Sequence, residues 1–206
     1  MSFTPTLGRT LISIPDTRPL ARASWATLLI AVGVAFLAAT AQVRIPLPGT
    51  PVPVTGQTFG VLLLAAAYGS RLGSATVASY LVIGFAGAPI FQNGGAGTAA
   101  LYGATGGYLI GFLAAAWIVG ELSEHGWARK PYLVVAAMIL GNAVIYACGV
   151  THLAGVRLPS GQAIGWERVW AFGVAPFLIG DAIKIAVAAA ALPLAWRLKE
   201  RGAPKS

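Results

Sequence analysis

The last hydrophobic segment of the chain, PFLIGDAIKIAVAAAALPLAW from Pro176 to Trp196, has the composition of a membrane-spanning helix, yet it carries Asp181 and Lys184 inside the apolar run. At the centre of a bilayer helix each such charge costs about 2.5–3.5 kcal/mol on insertion scales, so an intramembrane pair marks a functional site by default. Three positions apart on an α-helix, the two side chains are ~60° apart in azimuth and ~4.5 Å apart along the axis, near enough to share one polar pocket. The simpler alternative is a mutual ion pair that only fixes helix packing, although buried pairs are weak stability devices. In a ligand role, Asp181 accepts N–H donors and Lys184 holds a carboxylate, so the ligand would be small, anionic and equipped with polar N–H groups.

The rest of the composition agrees with a membrane setting. Of 206 residues, 57% are hydrophobic and 10% charged, against roughly 25% charged in an average soluble domain. Six Asp plus Glu and fourteen Lys plus Arg cannot cover a soluble surface of this size. The chain therefore reads as an all-α integral membrane protein with lipid as its surroundings. The net charge of +8 does not point to nucleic acid, because the basic residues flank apolar runs instead of forming a patch with interleaved aromatics. Cys148 is the single cysteine, which rules out an intrachain disulfide or a cysteine metal site and reads as a small buried thiol.

Residues 1–22 form a mixed, Pro-containing segment read as a cytoplasmic tail, and 199–206 a short basic tail; 23–198 is the membrane domain. Six spans are expected, at about Trp25–Ala41, Gln57–Tyr68, Leu72–Gly87, Tyr108–Gly120, Tyr132–Val150 and Phe172–Trp196. Ala39, Thr40 and Ala41 resemble a signal-peptidase site, but the membrane segments downstream argue against cleavage. Between the first two spans, VRIPLPGTPVPVTGQ holds Pro46, Pro48, Pro51 and Pro53 and is expected to be an extended loop, since proline breaks a regular helix. The second span is short: some fifteen residues make ~22 Å, less than the ~30 Å hydrocarbon core. The loop before it would have to dip inward, where its free backbone groups face protein or a wet cavity. Between the third and fourth spans, APIFQNGGAGTAALYGATGG is rich enough in glycine for its backbone to approach a ligand closely, or to be a plain flexible loop.

Six spans put both ends on one side. The tails and the two loops on that side hold Arg9, Arg18, Arg22, Arg71, Arg129, Lys130, Arg197, Lys199, Arg201 and Lys205. The opposite loops hold Arg44, Arg157 and Arg168. This bias places both termini in the cytoplasm and the chain in the inner (plasma) membrane. The Pro-rich loop, the Gly-rich loop and the 151–170 loop then lie outside, and Asp181, about nine residues into the last span, lies ~13 Å below them.

Enzyme chemistry has little support. There is no phosphate-binding GxxxxGK[ST] loop, and His125 and His152 lie in loops on opposite sides without metalloprotease spacing. Ser74 and Ser79 have no intramembrane histidine to act as base. No cofactor and no metal are expected. Concentrative transport would then draw on an ion gradient or on a partner ATPase, and a stand-alone proton-linked carrier for a small carboxylate, using Asp181, is one alternative.

Three stretches narrow the choice: AQVRIPLPGTPVPVTGQTFGVLLLAAAYGSRLG, FQNGGAGTAALYGATGGYLIGF and PFLIGDAIK. Together they closely resemble the BioY family, the biotin-binding S-components of energy-coupling-factor (ECF) vitamin transporters, over residues 25–198. The resemblance implies a six-helix S-component fold that binds biotin near the outer face, with an ECF transmembrane coupling protein and ATPase subunits as partners. It implies that Asp181 meets the ureido N–H groups and that Lys184 meets an anionic or carbonyl oxygen, with the end of biotin that each charge meets left open. It further implies amide hydrogen bonds from Gln57 and Asn93, and packing of the bicycle by Phe91, Tyr102 and Tyr108. The family meets its coupling protein through small residues spaced AxxxA on helix one, and Ala31, Ala35 and Ala39 have that spacing. The chain departs from the family in having Ala104, where proline is common, before Thr105.

Overall fold

In the computed structural model the described residues are Thr6, Leu7, 19–156 and 161–202. Most of the two expected tails, with Arg9, Arg18 and Lys205, lies outside them, as does Arg157. The chain is mostly helical. Helix α1 (Pro19–Gln42) is followed by strands β1 (Arg44–Ile45) and β2 (Val54–Thr55), then α2 (Gln57–Tyr68) and α3 (Ser70–Phe85). A 3-10 turn at Gln92–Gly94 and the single-turn α4 (Ala99–Tyr102) lead to α5 (Gly106–Glu124). A second 3-10 turn, Trp127–Arg129, leads to α6 (Pro131–Gly155); then come α7 (Gly165–Gly173), a 3-10 turn at Ala175–Phe177, and α8 (Leu178–Gly202).

Among the described residues, four helical stretches are by length and composition able to cross a membrane: Leu20–Gln42, Gly106–Glu124, Pro131–Gly155 and Gly165–Glu200. Helices α2 and α3 have 12 and 16 residues, or ~18 and ~24 Å. They meet in a one-residue joint at Gly69, whose φ of +85° an L side chain rarely adopts. Thr6 is buried against this joint and donates its hydroxyl to the Tyr68 carbonyl at 3.1 Å.

Helices α5 and α6 form the centre of the packing. A Cβ on Gly107 would lie 2.4 Å from the Cys148 carbonyl oxygen, and one on Gly111 would lie 3.0 Å from the Ile145 Cα. Small residues let the two backbones approach, which is how helices associate where lipid is as apolar as leucine. Leu37, Leu62, Tyr80, Met138, Ile145 and Leu153 are fully buried around this pair. Helix α1 packs through Gly33, Leu37 and Ala41, while Ala31, Ala35 and Ala39 form an exposed stripe.

The structure departs from the sequence reading in three places. The Pro-rich segment, expected to be an extended loop, is closed at its base by an antiparallel pairing, Arg44 with Thr55 and Ile45 with Val54, which makes it a hairpin-like flap. The 151–170 loop is largely helical, ending α6 and beginning α7. The final helix starts at Leu178, because Pro176 and the 3-10 turn interrupt the helical run before it. Asp181 consequently lies in the first turn of α8, ~4.5 Å from its start instead of ~13 Å.

Candidate functional site

A carboxylate in the first turn of a helix faces unpaired backbone N–H groups and the positive end of the helix dipole, which stabilises its charge. Asp181 has this position and is 4% exposed. One turn on, Lys184 reaches back, placing Nζ 2.9 Å from Asp181 Oδ1. The same ammonium donates to Thr58 Oγ1 at 2.8 Å, and Thr58, in the first turn of α2, donates to Asp181 Oδ1 at 3.4 Å. From α6, the Tyr146 hydroxyl donates to Asp181 Oδ2. Three helices thus converge on one carboxylate. Of its roughly four acceptor sites three are used, and of the three Lys184 N–H donors two are used, so one acceptor and one donor remain side by side.

These groups form the polar end of a cavity of about 470 Å³, counting its open mouth, lined by Val52, Pro53, Thr55, Gln57, Thr58, Thr105, Tyr108, Leu109, Phe112, Tyr146, Phe177, Asp181 and Lys184. Tyr108, Phe112, Tyr146 and Phe177 supply an aromatic wall, and the Tyr146 and Phe177 ring centroids are 6.5 Å apart. Tyr108 is held by its hydroxyl, which donates to the Gly173 carbonyl at 2.9 Å. Gln57 is oriented by a chain of hydrogen bonds. Its Oε1 accepts from Thr55 Oγ1 at 3.2 Å, its Nε2 donates to the Tyr80 hydroxyl at 3.0 Å, and that hydroxyl donates to the Ile90 carbonyl at 3.0 Å. The flap is tied down at its far end, where Thr50 Oγ1 donates to the Phe172 carbonyl at 2.8 Å.

Of the residues singled out from the sequence, Asp181, Lys184, Gln57 and Tyr108 come together in this cavity. Phe91, Asn93 and Tyr102 do not line it. Phe91 is 2% exposed and fills the space above Gly84, edge-on to Tyr80 and Phe85. Asn93, in a left-handed conformation at φ 59°, accepts a hydrogen bond from Arg44 Nη1 at 3.1 Å and so joins the Gly-rich loop to the flap. Tyr102, on the single-turn α4, is 77% exposed. Thr58 and Tyr146 were missed by the sequence reading. A tyrosine in the run ILGNAVIYACGV is a milder form of the anomaly that exposed Asp181, and Thr58 directly follows Gln57 at the same helix start. Thr55, Thr105, Phe112 and Phe177 carried no such signal. Among the described residues no group of three or more His, Cys, Asp or Glu side chains converges as a metal site would require.

An apolar, aromatic cleft with a few convergent polar groups is the form of a small-molecule site. The spare acceptor beside the spare donor suits a ligand that offers an N–H and an oxygen on neighbouring atoms.

Comparison with known proteins gives this geometry a context. The model of the BioY family matches residues 16–201. A protein of Thermotoga maritima described as biotin transporter BioY is 38% identical over 183 residues, covering 89% of this chain and 96% of that protein. One of Rhizobium etli with the same description is 34% identical over 146 residues, 68% of this chain and 75% of its own length. Among solved structures, the S-component for biotin from an ECF-type ABC transporter superposes with a TM-score of 0.72 over 91% of this chain and 96% of that one. At 20% identity, that last likeness is one of fold.

Proposed function

This chain belongs to the BioY family, and on that premise we propose that it is the biotin-capturing S-component of an ATP-driven ECF transporter. The observation that carries the proposal is the Asp181–Lys184 end of the cavity. A ureido group has an N–H and a carbonyl oxygen on adjacent atoms, and this end has one free acceptor next to one free donor. The ureido ring is therefore assigned to this end, with its N–H on Asp181 and its carbonyl on Lys184, and the bicycle lies against Tyr108, Phe112 and Phe177. A ligand carboxylate at the same place would face the Asp181 charge, so the valerate is assigned to the opposite, mouth side of the cavity. BioY proteins are transporter components rather than enzymes, which removes an intramembrane enzyme from the readings.

In the same proposal α1, α2, α3, α5, α6 and α8 are the six spans, with both termini cytoplasmic in the inner membrane. The distribution of basic residues supports this orientation. The shortness of α2 is offset by the flap, whose Val52 and Pro53 reach down to the cavity. The exposed stripe of Ala31, Ala35 and Ala39 is assigned to the coupling membrane protein, which two ATPases would drive.

Calorimetric titration with biotin and with its methyl ester, on the native protein, Asp181→Asn and Lys184→Ala, tests the site. Native protein is expected to bind biotin, and each substitution to weaken biotin and ester by the same factor, since the ester leaves the ureido ring unchanged. A Lys184→Ala effect that vanishes with the ester puts the carboxylate on Lys184 and overturns the assignment. No binding of biotin at all overturns the function.

A further inference from the structure

Helix α7 supplies no side chain to the cavity wall, yet its own surface is sharply divided. At ~100° per residue, Trp166 and Trp170 lie within ~40° of each other, and they are 67% and 61% exposed. Next to them around the helix, Val169 and Gly173 are buried against the protein. Glu167 and Arg168, both exposed, take the remaining side, centred ~130° from the indoles. The helix therefore has a protein side, an indole side and a charged side.

Two exposed indoles gain nothing in water, and a charged pair is costly in hydrocarbon. An indole, with its apolar body and single N–H, is at home at the boundary between headgroups and acyl chains. The neighbouring surface leads to the same place. Directly after the 3-10 turn, α8 exposes Leu178, Ile179, Ile183 and Val187 at 45%, 79%, 62% and 50%, a stripe that a spanning helix gives to lipid tails. Helix α7 immediately precedes that stripe in the chain, separated from it by the 3-10 turn Ala175–Phe177. Glu167 and Arg168 cancel, so the fit is to a phospholipid boundary as such and does not require anionic lipid.

We infer that α7 is an interfacial helix, with Trp166 and Trp170 seated at the headgroup–acyl boundary of the bilayer at the cavity end of the molecule, and that the bilayer thereby holds the cavity's roof. The roof hangs on this helix by backbone: Gly173 accepts the Tyr108 hydroxyl, Phe172 accepts Thr50 of the flap, and Phe177 of the wall follows four residues later. The inference rests on the membrane-spanning part of the proposed function and is independent of the ligand.

The test compares tryptophan emission of the native protein and of Trp166→Ser/Trp170→Ser in phosphatidylcholine vesicles. The lipids carry bromine either near the carbonyl or near the terminal methyl of the chain, and iodide is the aqueous quencher. The emission lost in the double variant is the pair's share. It is expected to be quenched about threefold more by shallow than by deep bromine and little by iodide. A share quenched by iodide alone, or most strongly by deep bromine, overturns the inference. Should the double variant fail to reconstitute, Trp166→Phe and Trp170→Phe measured singly give the same shares. The double variant is also expected to release bound biotin about threefold faster from vesicles; an unchanged rate overturns the roof-holding role. Interfacial quenching in vesicles that do not bind biotin would sink the proposed function and leave the anchor standing.

Discussion

Asp181 and Glu124 are both buried carboxylates, at 4% and 3% exposure, and both meet the first turn of a helix. Along α5 they belong to opposite ends, because the cavity wall residue Tyr108 lies sixteen positions, or ~24 Å, from Glu124. Glu124 Oε1 accepts the backbone N–H of Ser70 at 3.0 Å and its hydroxyl at 3.1 Å, capping α3 from a neighbouring helix. Around it the chain is packed backbone to backbone: a Cβ on Gly120 would lie 2.4 Å from Ser70 N, and one on Gly69 2.6 Å from Glu124 Oε1. Asp181 instead borders an open cavity and shares its oxygens with a flexible lysine, a threonine and a tyrosine. The chemical group is the same at both ends. The space beside it makes one a candidate binding site, and the close packing makes the other a joint.

The comparison breaks if the two ends respond alike. Asp181→Asn is expected to weaken biotin binding by ~10–150-fold, the ~1.5–3 kcal/mol of a hydrogen bond to a charged group, with a smaller fall in the detergent unfolding midpoint than the change at Glu124 produces. Calorimetry and a thermal melt on one preparation read both quantities. Glu124→Ala should do the reverse. Leaving the Ser70 N–H and hydroxyl without this acceptor costs ~1–3 kcal/mol of stability, while the folded fraction binds biotin as before. A loss of affinity in Glu124→Ala at unchanged stability would erase the distinction between the ends.

Two smaller changes sharpen it. Tyr146→Phe removes one donor to Asp181 and keeps the ring against Phe177, so a ~2–12-fold loss of affinity, ~0.5–1.5 kcal/mol, is expected by titration. A gain in affinity would mean that the hydroxyl competes with the ligand for Asp181. Thr50→Val cuts the tie between flap and α7, and with it the acceptor that Thr50 Oγ1 gives the Val52 backbone N–H at 3.1 Å, while leaving every cavity-lining side chain in place. Its expected signature is a release rate raised about two- to fivefold in stopped-flow displacement, with the association rate nearly constant. A slowed association instead would make the tie part of an entry path.

Asp181 and Lys184 were legible because a charge in an apolar run costs energy that only a site or a partner justifies. Gln57 and Tyr108 were legible only through resemblance. Thr58 and Tyr146 escaped because their signals are weak: a threonine at a helix start is ordinary, a tyrosine in a span is a far milder anomaly than a charge, and the role of each depends on the azimuth at which α2 and α6 face α8. Phe91 shows the opposite case, an aromatic in a promising loop that the missing Cβ of Gly84 draws into the packing instead.

By itself, the sequence determined that the chain lives in a membrane, that it is mostly helical and which charges are anomalous, because hydropathy and charge act residue by residue. Only the tertiary structure decided that Asp181 opens a helix rather than lying deep within one, that a tyrosine and a threonine share it, and that a cavity remains at its side. Those outcomes depend on helix rotation, on where Pro176 interrupts the last helix, and on which glycines let backbones close.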